Sequence, residues 1–226
     1  VRHFRGFPIP RDWPMIRAFI FIGVGNATIP YTLISLGEQN ISSGMAAVLQ
    51  STASLFTLVT AHLAFADERI SRQKVIGLLT GFIGVIMLSS ETVSNGTVDT
   101  KMLLGQLAVI GASFFYAVFT VHSRKVLNQN IQPIVVSSAS FIAAAISAFG
   151  FVFLEPLLGG RSFVPLTEIG SDVLQAVFML GFLNTFIAYL FFYFIVRELG
   201  ALRASMVTYV VPIIGLTLGV LARDEI

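Results

Sequence analysis

Apolar residues gather in seven stretches of this chain, 15–37, 43–66, 73–90, 103–121, 132–154, 173–196 and 202–222, with short polar linkers between them. A helix needs about 20 apolar residues to cross a bilayer. Six stretches reach or approach that length, and the third, the shortest, spans with help from its flanks. The pattern predicts an all-α, polytopic membrane bundle of seven transmembrane helices. Composition removes the competing reading of a buried soluble core. Hydrophobic residues make up 55% of the 226 positions and charged residues only 12%, where a soluble domain carries about 25% charge. A chain this short has too little interior to hide every helix from water.

The linkers set an orientation. Arg2, Arg5, Arg11, Arg17, Arg69, Arg72, Lys74, Arg124, Lys125, Arg197 and Arg203 fall on one side of a seven-span topology. Only Lys101, Arg161 and Arg223 fall on the other. Lys and Arg accumulate on the cytoplasmic side, which predicts the N-terminus inside and residue 226 outside. The basic residues are spread through short loops, so nucleic acid is not an expected partner; the lipid bilayer is. With no cysteine in the chain, disulfides, thiolate metal sites and catalytic thiols are excluded. The segment before the first span is basic and Pro-rich, has no signal-peptide pattern and does not begin with Met. An internal excerpt of a longer chain is expected.

Within the apolar sequence a pattern recurs 158 residues later. Gly23 pairs with Gly181, Asn26 with Asn184, Ile29 with Ile187 and Tyr31 with Tyr189; Ile41, Ala46 and Ser54 pair with Leu199, Ala204 and Pro212. After a slip of one residue, Asp67-Glu68 meets Asp224-Glu225. The copies begin at the first and sixth predicted helices, so they cross the bilayer in opposite directions, an inverted repeat with a five-helix period. The simplest parent has ten helices, of which this chain lacks the first two and the last. Residues 1–91 then hold three helices of the first repeat, 92–102 an extracytoplasmic linker, and 103–226 four helices of the second.

Two groups of motifs narrow the reading. Ser43-Gly-Met-Ala-Ala-Val-Leu-Gln-Ser-Thr-Ala-Ser-Leu-Phe-Thr57 is followed by Ala66-Asp-Glu-Arg-Ile-Ser71, and Leu199-Gly-Ala-Leu-Arg-Ala-Ser205 by Val211-Pro212 and Asp224-Glu225. Together they resemble the EamA domain of the drug/metabolite transporter superfamily. The resemblance implies two EamA repeats, ten helices and both termini in the cytoplasm. It also implies a secondary carrier that moves a small organic solute, with export favoured, in a bacterial inner membrane. Departures are Ser54 where the family usually has Pro, Ala66-Asp67-Glu68 in place of its Gly-Glu loop, and Tyr116 where it often has Trp.

A carrier needs polar groups at bilayer depth, where they are costly unless paired or set around a wet cavity. Asn26 and Asn184 lie mid-helix at equivalent repeat positions, and an amide offers two donors and two acceptors. The competing role is an interhelical hydrogen bond that only joins helices. Gln50, Ser54 and Thr57 share one helix face, as do Ser205, Tyr209 and Pro212, so these stripes are expected to form facing cavity walls. Tyr31, Tyr116 and Tyr189 offer aromatic bodies with polar tips. The expected solute-binding set is therefore Asn26, Asn184, Gln50, Ser54, Tyr209, Tyr116 and Tyr189.

His62 is the one histidine well inside a predicted span; a structural imidazole is expected, with proton coupling as the alternative. Gly77, Gly81 and Gly84 predict tight helix packing. Asp67, Glu68, Arg69 and Arg72 are expected to form a solvated loop network, and Asn95-Gly96-Thr97 a short turn. No cofactor or metal is expected, and the sequence leaves a homodimer open. An intramembrane enzyme would need clustered histidines or carboxylates, which these spans lack. A non-transporting scaffold or an inactive truncated carrier is the remaining alternative.

Overall fold

A computed structural model describes residues 10, 12–77, 80–81, 83, 93–94, 97–154 and 168–210, with the side chains of 93–94, 97–98, 154 and 209 left out. Among the described residues, five helices are long and apolar enough to cross a membrane. In chain order the helices are α1 (Trp13–Gly37), α2 (Ser43–Ala64), a short α3 over 72–77, α4 (Thr100–Leu127), α5 (Pro133–Leu154), α6 (Ser171–Leu199) and α7 (Ala201–Ser205). A 3₁₀ turn, Met206–Tyr209, continues α7. Two antiparallel strands, Val93–Ser94 and Thr97–Val98, flank the predicted turn, whose residues 95–96 lie outside the described ones.

Local chemistry fixes the helix starts. Asp12 accepts a hydrogen bond from the Met15 N–H at 3.2 Å, and Pro14 occupies the first turn, where its missing N–H costs nothing. Ser42 and Asp99 cap α2 and α4 in the same way. Inside the apolar spans, hydroxyls that could strand in lipid turn back onto their own helix. Thr52, Ser54, Thr57 and Thr60 donate to the carbonyls of Leu49, Ser51, Ala53 and Phe56. Such bonds satisfy the side chain and loosen the helix. They accompany a break at Ser51, which splits α2 into Ser43–Gln50 and Thr52–Ala64.

The main core joins α1, α4, α5, α6 and α7 through Phe19, Ile22, Leu127, Val136, Tyr193, Val196 and Ala204. A second cluster, Ile41, Ala46, Leu49 and Val109, ties α2 to α4. Gly23 lets α1 meet α5 backbone to backbone, since a Cβ there would stand 2.2 Å from the Ser140 carbonyl oxygen. The tight packing expected at Gly77, Gly81 and Gly84 is met at Gly81, where a Cβ would stand 2.9 Å from Leu55 Cδ1. Gly77 meets nothing within 4 Å among the described residues, and Gly84 falls outside them.

The sequence places the end of the fourth span at 121, but α4 continues to Leu127, two turns further. At 1.5 Å per residue its 28 residues exceed the hydrocarbon thickness. Arg124 and Lys125 therefore project from a helix rather than a loop, and His62 is not the only helical histidine, because His122 sits on the same extension.

Candidate functional site

α1 and α6 share an irregularity at equivalent places. A π-helical turn, Val24–Thr28, interrupts α1 around Asn26, and a longer one, Leu180–Ile187, interrupts α6 around Asn184. Shifted by the repeat offset the two overlap. The wider π turn removes the regular i→i−4 ladder locally and is often found at functional positions.

Both asparagines border one cavity of about 530 Å³. Its walls come from α1 (Asn26, Tyr31), α2 (Gln50, Ala53, Thr57), α4 (Tyr116, Thr120), α6 (Asn184, Tyr189, Phe192) and the α7 segment (Ser205, Thr208). Among the described residues that line it there is no Asp, Glu, Lys, Arg or His. The surface is one of amides, hydroxyls and aromatic rings, able to hold a polar but uncharged group and an apolar body.

Asn26 is 2% exposed and held from α6. Its Nδ2 donates to the Tyr193 hydroxyl at 3.2 Å, while the Tyr189 hydroxyl donates to the Asn26 backbone carbonyl at 3.0 Å. The buried Oδ1 has no hydrogen-bond partner among the described residues. Buried acceptors are normally satisfied, and nothing among the described residues satisfies this one. Tyr31 meets Tyr116 edge-on with ring centroids 6.5 Å apart, and Tyr189 meets Phe141 in the same way at 5.0 Å.

Of the residues singled out in the sequence, Asn26, Asn184, Gln50, Tyr116 and Tyr189 converge on this cavity, joined by Thr57, Tyr31 and Ser205. Ser54 does not: it is 2% exposed, its hydroxyl donates to the Ser51 carbonyl, and Ala53 takes its place on the wall. Gln50, Ala53 and Thr57 stand at i, i+3 and i+7 on one helix face, and Ser54 falls beside that face. The side chain of Tyr209, and Pro212, lie outside the described residues; Thr208 lines the cavity three residues after Ser205, as a 3₁₀ turn brings i and i+3 into line. His62 is apart from the cavity, accepting at Nδ1 from the Ile70 N–H at 3.3 Å.

The loop after α2 departs furthest from its expected solvated role. Asp67 is exposed, and its ion pair with Arg124 at 2.6 Å holds its carboxyl below the ordinary carboxylate range. Glu68 is buried, 8% exposed. Its Oε1 accepts from Arg124 at 2.6 Å and from the Ala201 N–H at 2.8 Å, and its Oε2 from the Leu202 N–H at 3.0 Å. The missed residues are Glu68, Arg124 and Tyr193. For Tyr193 a signal existed, since Tyr189 and Tyr193 lie one turn apart on one face.

The EamA-like transporter family matches residues 2–90 and 103–226. An "Uncharacterized transporter" of Archaeoglobus fulgidus is 27% identical over 211 residues, which cover 92% of this chain and 68% of that protein. The "Uncharacterized inner membrane transporter YedA" of Escherichia coli K12 is 23% identical, covering 95% and 65%. A "Probable amino-acid metabolite efflux pump" of the same organism is 22% identical, covering 81% and 60%. The chain spans about two-thirds of the length of these curated relatives. One solved crystal structure superposes on 96% of this chain and 69% of its own, with a TM-score of 0.66 at 21% identity, a likeness of fold. Apolar spanning helices in a helical bundle, a matching family over nearly the whole length and relatives named as transporters agree: the chain belongs to the EamA-like transporter family, multi-pass proteins of the cell membrane.

Proposed function

We propose that this chain forms the solute pathway of a secondary carrier for a small organic solute without net charge, such as an amino acid, a metabolite or a drug-like compound. Transport proceeds by alternating access, with two inverted halves rocking about the cavity. The observation that carries the reading is the pair Asn26 and Asn184. They are equivalent by repeat, both sit in π-helical turns, and both border one cavity whose described lining holds no Asp, Glu, Lys, Arg or His. A charged solute would enter such a lining without a counter-charge, at a cost of several kcal/mol. Export is the favoured direction, by likeness to the efflux pump named above.

The test is solute flux into or out of proteoliposomes containing the full-length protein, after a thermal-shift screen of amino acids, nucleosides, vitamins and cationic drugs. Asn26→Ala and Asn184→Ala should each reduce flux at least about tenfold, the effect of one lost hydrogen bond to a bound polar group, while membrane accumulation is retained. Wild-type flux in both variants would remove these residues from the site.

A further inference from the structure

Four hydroxyl groups that border the cavity commit their protons inside the protein. Thr57 Oγ1 lies 2.7 Å from the Ala53 carbonyl oxygen, Ser205 Oγ 2.8 Å from that of Leu202, and Thr208 Oγ1 2.8 Å from that of Ser205. The Tyr189 hydroxyl lies 3.0 Å from the Asn26 carbonyl oxygen on α1. A carbonyl oxygen has no proton to give, so in each pair the hydroxyl is the donor. A hydroxyl carries one proton and two lone pairs. What each of these oxygens still offers is therefore an acceptor. All four residues line the cavity.

Three of the four gather at one end. Ala61, Val121 and Ala201 form one buried cluster. Thr57 stands one turn before Ala61 on α2, and Ser205 one turn after Ala201 on α7, so both hydroxyls flank that cluster. Thr208 follows Ser205 by one 3₁₀ turn. The cause is local. A hydroxyl in an apolar helix finds its nearest acceptor in the carbonyl three or four residues back. The bond that lets Ser and Thr sit in such a span thus also fixes the polarity they present to the cavity.

Such a wall discriminates by protons rather than by charge. An N–H brought against it finds acceptors. A carboxylate, phosphate or ester oxygen meets lone pair against lone pair, and the water it sheds is not replaced. The side-chain amides of Gln50 and Asn184 can donate or accept, and serve the rest of the solute. We infer that the cavity selects solutes carrying an N–H donor, as in an amide or the amino group of a net-neutral molecule, and seats that nitrogen against Thr57, Ser205 and Thr208. This selection rests on the carrier reading given above and narrows its solute class.

N-methylbenzamide and methyl benzoate provide the test, because they share a shape and differ by an N–H in place of an ester oxygen. Each is titrated onto the full-length protein in detergent and followed by saturation-transfer NMR. The amide should bind at least about tenfold more tightly, the effect of one hydrogen bond. A cavity indifferent to donors gives the opposite order, since the amide sheds more hydration on entry. Thr57→Val and Ser205→Ala each delete an acceptor oxygen with little change of shape, and should narrow the preference at least about threefold. Equal or tighter binding of the ester, no binding of either compound, or an unchanged preference in both variants overturns the inference. The wild-type ratio decides where a variant does not accumulate. Donor-selective binding without flux of any screened solute keeps the selection and overturns the carrier reading; flux that favours solutes without N–H does the reverse.

Discussion

Asn26 joins helix packing to the binding role proposed for it. Its Nδ2 is engaged by Tyr193 and its main-chain carbonyl by Tyr189, so two of its polar groups join α1 to α6, while Oδ1 has no partner among the described residues. Tyr193→Phe removes the acceptor for Nδ2 at a site where the ring is 1% exposed. Interhelical hydrogen bonds in membranes are worth about 0.6–2 kcal/mol, so this variant should unfold a few degrees earlier in a light-scattering melt, with insertion unaffected. An unchanged midpoint would show that the Asn26–Tyr193 bond contributes nothing. The asparagines were legible in the sequence because the repeat preserves them. Glu68 was not, because a charged residue in a short polar loop looks solvated until its tertiary partners, 56 and 133 residues away, are known.

At the scale of elements, the spans were readable and their irregularities were not. Hydropathy reports where apolar residues are dense, and it located α1, α2, α5 and α6 to within a few residues. It is blind to the π turns, which keep the apolar run unbroken and need no Pro or Gly at a fixed place. It is equally blind to the break at Ser51, built from hydroxyl-to-carbonyl bonds within one helix. On α2 the expected stripe meets the cavity at Gln50 and Thr57, with Ala53 rather than Ser54 between them, since i+3 and i+4 lie on either side of one helix face. Close helix approach gives a prediction at this scale. Gly23→Ala sets a methyl group 2.2 Å from a backbone oxygen of α5 that cannot rotate away. Overpacking of this kind costs about 1–3 kcal/mol. A lowered thermal midpoint and reduced accumulation should follow; a variant as stable as the parent would mean that α1 and α5 are less closely apposed than described.

At the scale of the molecule, the proposal stands on two related halves lying upside down to each other around the cavity. Pseudo-equivalent residues from both copies, Asn26 with Asn184 and Tyr31 with Tyr189, then reach a common space from opposite directions. A parallel duplication would place the copies side by side with the same ends facing the same water. The direct measurement is the sidedness of two turns that occupy equivalent places, read with single cysteines at Asn40 and Glu198, both exposed. In intact cells expressing the full-length protein, an impermeant maleimide should label Asn40→Cys and leave Glu198→Cys unlabelled until the membrane is opened. Labelling of both positions from the same face would contradict the inverted arrangement, and the carrier mechanism built on it would fall.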